Sequence, residues 1–113
     1  MESTRVNKVS RLLQRDLGDI FQKEGRAIFG SAMITVTKVN VTRDLSLAKV
    51  YLSLFTTGDK DTLLKTIKRH TTDIRYKLGK RIGKQVRVIP EIQFIMDDSL
   101  DYIDNIQKLL DDD

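Results

Sequence analysis

Apolar residues recur at Val6, Val9, Leu13, Leu17 and Ile20, with Leu12 and Phe21 widening the stripe. This spacing of three and four predicts an amphipathic helix of about 20 residues. Ser3 or Thr4 is a natural N-cap, and Gly25 a natural stop. After a loop (residues 26–32) the period changes to two. Ile34, Val36, Val39 and Val41 alternate with polar residues, and the change of parity between Val36 and Val39 marks a bulge. The polar segment Thr42–Ser46 interrupts the pattern before Val50, Leu52 and Leu54 resume it, which predicts an antiparallel hairpin.

Gly58 and Asp59 then offer a turn and an N-cap. Leu63, Leu64, Ile67, Thr71, Ile74, Leu78 and Ile82 hold helical spacing as far as Gly83. Polar and β-branched residues at His70-Thr71-Thr72 predict a break or bend within this long helix. Residues 85–96 predict a third strand, in which Pro90 requires an edge position or a bulge. Asp97-Asp98-Ser99 would cap a short helix carrying Leu100, Ile103, Ile106 and Leu110, and the chain ends in Asp111-Asp112-Asp113. The order α-β-β-α-β plus a terminal helix implies an α+β, two-layer sandwich with helices on one sheet face.

Composition narrows the function classes. A chain of 113 residues is one domain that can bury a core unaided. It has no cysteine, which excludes disulfides, thiolate zinc sites and cysteine nucleophiles. Neither a signal peptide nor a membrane span is visible, so a cytoplasmic protein is expected, with no membrane partner and as a monomer. The net charge of +4 hides an asymmetry. Residues 1–95 carry 19 Lys/Arg against nine Asp/Glu, whereas residues 96–113 carry Lys108 against seven Asp. A basic body with an acidic tail points to a polyanionic partner.

The second helix and the segment after it concentrate the charge. Ten Lys/Arg between Lys60 and Arg87 face only Asp61 and Asp73. A solvated helix face with no partner ordinarily mixes signs to gain i,i+4 pairs, and this one hardly does. The candidate RNA-binding residues are therefore Lys68, Arg69, Arg75, Lys77, Lys80, Arg81, Lys84 and Arg87, extended by Lys8, Arg11 and Arg15 on the first helix. Such a strip counts phosphates rather than reading bases. RNA is favoured over duplex DNA because no projecting recognition helix is apparent. Tyr51, Tyr76 and Tyr102 are scattered and form no stacking motif on a strand.

Catalytic readings find little support. His70 is the single histidine and reads as a surface or partly buried side chain. The aspartates at 97, 98, 101 and 104 lack the spacing of a calcium loop and read as helix caps. Residues 79–83 lack the length and the Lys-Ser/Thr of a phosphate loop. No nucleophile elbow or isolated carboxylate pair is present, so no enzyme, cofactor, metal site or small-molecule substrate is expected.

Three stretches carry a family resemblance that covers nearly the whole chain. They are residues 5–16 of the first helix, residues 41–52 with Arg43-Asp44-Leu45 between the strands, and residues 86–94 leading into Asp97-Asp98-Ser99. The chain resembles ribosome-binding factor A, a bacterial assembly factor for the small ribosomal subunit. The resemblance implies a type-II KH-like fold, so residues 1–96 are expected to be the RNA-binding domain; residues 97–113, an acidic helix and tail read from the sequence alone, are not carried over from the family. It also implies a role in late maturation of the small subunit and in ribosomal RNA processing, with the subunit and its RNA as partners. KH domains clamp a backbone with Gly-x-x-Gly between two helices, and this family places a kink there, typically Ala-x-Gly. Here His70-Thr71-Thr72-Asp73 occupies that region, with neither motif. The alternatives are a protein-interaction module with a basic face and an acidic tail, or a generic RNA-binding domain.

Overall fold

The structure, a computed structural model, describes residues 4–97. Its elements are α1 (Thr4–Phe29), β1 (Met33–Val41), β2 (Leu47–Phe55), α2 (Lys60–Arg69), α3 (Thr71–Ile82) and β3 (Glu91–Met96). The expected terminal helix lies outside the described residues. The sheet order is β1-β2-β3, with β1 antiparallel and β3 parallel to the central β2. A parallel neighbour requires a crossover, and α2 with α3 provides it.

Alternation decides which sheet face is covered. Ala48, Val50, Leu52 and Leu54 of β2 are buried together with Val36, Val39, Ile92 and Phe94. They meet Leu13, Leu17 and Ile20 of α1, Ile67 of α2, and Ile74, Leu78 and Ile82 of α3 in one core. The expected bulge is real: Val36 pairs with Leu52 and Lys38 with Tyr51, leaving Thr37 out of register. The Gln14 amide on α1 donates to the carbonyls of Val36 and Thr37 at 3.4 Å each, so the helix covers backbone groups at the irregularity. The expected break is real too. His70 closes α2 and precedes α3 with φ −94° and ψ 10°. Its Nδ1 lies 2.9 Å from the Thr66 carbonyl oxygen, and its ring packs edge-on against Phe29.

Two boundaries differ from the sequence expectation. The first helix does not stop at Gly25, which is buried within it, but continues to Phe29, and Gly30 with φ +70° ends it. The extra turn brings the Phe29 ring between Phe21 and His70, with centroids 6.2 and 5.6 Å away. The third strand begins at Glu91, not at residue 85. Residues 85–90 are held by other partners. The amides of Gln85 and Val86 donate to the Ile82 carbonyl, and the Arg75 guanidinium donates to the carbonyls of Ile89 and, at 3.0 Å, Pro90. Pro90 thus precedes the ladder, and β3 is an edge strand.

Leu13 is fully buried beneath the helical layer. Leu13→Ala is expected to lower unfolding stability by about 2–5 kcal/mol, the range for deleting a buried leucine side chain, measured by denaturant titration. Lys8→Ala on the outer surface of the same helix should leave the midpoint within error.

Candidate nucleic-acid interface

The candidate cations all lie on or beside the helical layer, but their surroundings divide them. Lys8, Arg11 and Arg15 share the outer surface of α1 and are exposed. Arg15 is paired only with its neighbour Asp16, at 3.3 Å and 72% exposed, where solvent leaves little attraction. Lys68 and Arg69 are exposed in the last turn of α2. Lys80, Lys84 and Arg87 are exposed at the end of α3 and in the segment beyond it. Among the described residues, Lys8, Arg11, Lys68, Arg69, Lys80, Lys84 and Arg87 have no acidic partner.

Arg75, Lys77 and Arg81 are placed differently. Helical spacing turns Lys77 and Arg81 toward α1, where the acids of that helix stand. Lys77 Nζ reaches Asp73 at 3.2 Å and Glu24 at 3.8 Å. Arg81 donates to Asp19 and lies 3.8 Å from Asp16. The hydrogen bond from Arg81 holds the Asp19 carboxyl below its usual value of 3.8, against the opposing effect of burial and with help from Lys23. The same bond raises Arg81. Arg75 directs its donors to the carbonyls of residues 89 and 90. These three cations therefore fasten α3 to α1 and to the segment entering β3. Sequence spacing alone places them in the same basic run as Lys80 and Lys84; their partners separate them.

Two concavities bring together three of the exposed cations, Lys8, Lys80 and Arg87. One lies between the N-terminal turns of α1, the β1–β2 turn and residues 85–88, with Arg5, Lys8 and Arg87 on its walls. The other is a shallow groove between α3 and residues 87–89, lined by Tyr76, Lys80 and Arg87. They share Arg87 and Val88. Tyr76 is 62% exposed, with Lys80 Nζ 4.8 Å from its ring centroid. This cation–π pair is a platform that the scattered tyrosines of the sequence do not announce, although the i,i+4 spacing is its signal. The second group stands apart. Lys68 and Arg69 lie at the end of the layer where His70 meets Phe29, roughly 30 Å of helical rise from Lys8. The exposed cations thus form an elongated strip rather than one cluster. A strip of fixed positive charge at this length can follow a phosphate backbone. It has no convergent acid–base pair, and no group of His/Asp/Glu among the described residues could hold a metal ion. No helix among them is long and apolar enough to cross a membrane.

Comparison with known proteins adds an independent line. The family model of ribosome-binding factor A matches residues 5–110. The ribosome-binding factor A of Cytophaga hutchinsonii is 49% identical over 110 residues, spanning 97% of this chain and 83% of that protein. That of Flavobacterium johnsoniae is 43% identical over 111 residues, covering 97% and 85%. The crystal structure of ribosome-binding factor A from Thermus thermophilus superposes with a TM-score of 0.67 at 21% identity, over 80% of this chain and 94% of that one. A Thermus thermophilus homology model fitted to a cryo-EM map of a complex with the 30S subunit gives 0.62 at 23% identity, over 79% and 91%. The likeness to these structures gives the fold, an α+β sandwich of the KH-like kind.

The division among the cations predicts different outcomes on substitution. Arg81→Gln should lower the thermal midpoint at neutral pH, because it leaves Asp16 and Asp19 facing each other without their shared cation; Lys84→Gln should not. A carboxylate with a depressed folded pKa contributes stability in full above its unfolded value and loses it as pH falls toward the folded one. The midpoint should therefore drop as pH falls below the usual 3.8 of Asp19. In Asp19→Asn that drop should be shallower, as followed by circular dichroism at successive pH values.

Proposed function

The chain belongs to the ribosome-binding factor A family, and we propose that it binds the small ribosomal subunit during late maturation and supports ribosomal RNA processing by docking on structured RNA. The observation that carries the reading is the strip of exposed cations along α1, the end of α2, α3 and residues 84–87, all but Arg15 without an acidic partner among the described residues. The Thermus thermophilus relative fitted into the map of a 30S complex supports the choice of partner. Within the strip we assign the phosphate contacts to Lys8, Arg11, Arg15, Lys68, Arg69, Lys80, Lys84 and Arg87. Arg75, Lys77 and Arg81 are assigned to the same interface as residues that position it, since their heads are held by carbonyls or by Asp19, Glu24 and Asp73.

The physics of such a surface favours shape over sequence. The helices fix the spacing of the backbone positions that carry most of the cations, while each Lys or Arg side chain loses rotamer freedom when it meets a phosphate. Contacts to phosphate carry no base information, so selectivity would come from the path of the folded RNA across the strip. The chain acts in this reading by occupancy: it covers an RNA surface until the subunit no longer presents that shape.

The test is co-sedimentation with immature small subunits, mature small subunits and joined ribosomes over a series of salt concentrations. The expected result is salt-sensitive binding to small subunits and none to joined ribosomes. Replacing Lys80, Lys84 and Arg87 together by Glu should weaken binding by at least about tenfold and flatten the salt dependence by roughly 0.7–0.9 per lost phosphate contact. Binding that is flat with salt would instead indicate a protein-interaction module, and equal binding to every particle a generic RNA-binding domain.

A further inference from the structure

The cleft between the start of α1, the β1–β2 turn and residues 85–88 has a volume of about 800 Å³. Its surface is mostly apolar, with Leu12, Leu45 and Val88 prominent, while Arg5, Lys8 and Arg87 stand on its walls. Among the described residues Asp44 is the single acid lining it, and its Oδ1 accepts hydrogen bonds from the hydroxyls of Thr42 and Ser46 at 2.7 Å each. Val88 is 68% exposed although it is a branched aliphatic residue. The volume is that of a small-ligand site, and the surface combines an apolar floor with unmatched positive charge.

The turn that forms one wall is held in a strained shape. Leu45 has φ +60° and is the non-glycine residue with positive φ among the described residues. A leucine in this region costs roughly 1–2 kcal/mol relative to ordinary backbone, and glycine or asparagine would adopt it more readily. The surrounding hydrogen bonds over-determine the conformation. The Leu45 amide donates to the Thr42 carbonyl at 2.9 Å and the Thr42 amide to the Leu47 carbonyl at 2.9 Å. The Glu91 amide donates to the Ser46 carbonyl at 2.9 Å, fixing the turn to β3. The strain places an isobutyl group where it both packs on the core edge and lines the cleft.

We propose that this cleft takes one unpaired nucleotide of single-stranded RNA, its base against Leu12, Leu45 and Val88 and its flanking phosphates against Arg5, Lys8 and Arg87. The inference rests on the reading that the partner is RNA, and it adds to shape recognition a place where the chain senses an unpaired end or bulge. A base fits the concavity; a duplex does not enter it and meets only its rim. Three cations against one carboxylate among the described lining residues favour a ligand with a negative charge at every unit, a phosphodiester, over an apolar peptide, whose carbonyls can accept from the guanidinium groups but bring no charge.

The experiment is a titration of the full chain, followed by amide chemical shifts, with a single-stranded RNA hexamer and separately with a blunt RNA duplex. The hexamer is expected to shift residues 44–46 and 85–88 together with Arg5 and Lys8, and the duplex is expected to leave 44–46 unmoved. Leu45→Gly, which suits the positive φ, and Val88→Ser, which changes an exposed side chain, should each weaken hexamer binding by roughly three- to tenfold without changing its salt dependence. Hexamer shifts confined to Lys80 and Lys84, equal affinity of both variants, or the same cleft shifts with duplex would each overturn the proposal. Loss of the cleft signal with small-subunit binding intact removes this inference alone; cleft shifts in a protein that binds no subunit remove the assembly reading and keep the cleft.

Discussion

The contact between one face of a three-stranded sheet and a layer of helices is what the rest of the molecule depends on. Ala48, Val50, Leu52 and Leu54 of the central strand project to one side and are covered by α1 and by α2 with α3. Once that side is closed, each helix has a single surface left for solvent or partners. The positions of the cations follow. A lysine or arginine between the apolar positions of α1 or α3 has two places to go: outward, or sideways into the seam between the helices.

The sideways group forms a structural system of its own. Asp16, Asp19 and Glu24 of α1 meet Lys77 and Arg81 of α3, and Lys23 completes the set. The acids would subtract from the positive potential of the helical face if they stood alone; matched in the seam they leave the outward cations to set the local potential. Arg75 has a comparable role at the other side of α3, satisfying the carbonyls of residues 89 and 90 that the sheet cannot reach. That contact gives residues 85–90 their course across the end of the sandwich, and so places Arg87 and Val88 between the Tyr76 groove and the α1 cleft. Cations engaged inside the fold thus decide where the outward ones stand.

The break at His70 serves the same geometry. A continuous helix from Lys60 to Ile82 would span roughly 35 Å at the usual rise, longer than the strand it crosses. By interrupting the ladder for one residue and packing its ring on Phe29, His70 lets both halves keep their apolar sides on the sheet. Here a polar residue followed by two threonines makes the break, and the His70 side chain holds it through the Thr66 carbonyl and the Phe29 ring.

Periodicity was enough for much of this protein. The amphipathic stripes, the alternation in β1 and β2, the bulge after Val36 and the break near His70 are local, because each is a residue's preference set by its immediate neighbours. The charge asymmetry and the family motifs were likewise legible in the chain as written. What only the tertiary structure decided involves partners far apart in the chain. Helix α1 passes Gly25 because Phe29 finds Phe21 and His70; residues 85–90 leave the strand because Arg75 takes their carbonyls. The parallel pairing of β2 with β3, the separation of Arg75, Lys77 and Arg81 from the exposed cations, and the cleft walled by a strained Leu45 are of the same kind. A basic run in sequence states that charge is present; which of those charges is already satisfied depends on acids and carbonyls that folding brings from elsewhere.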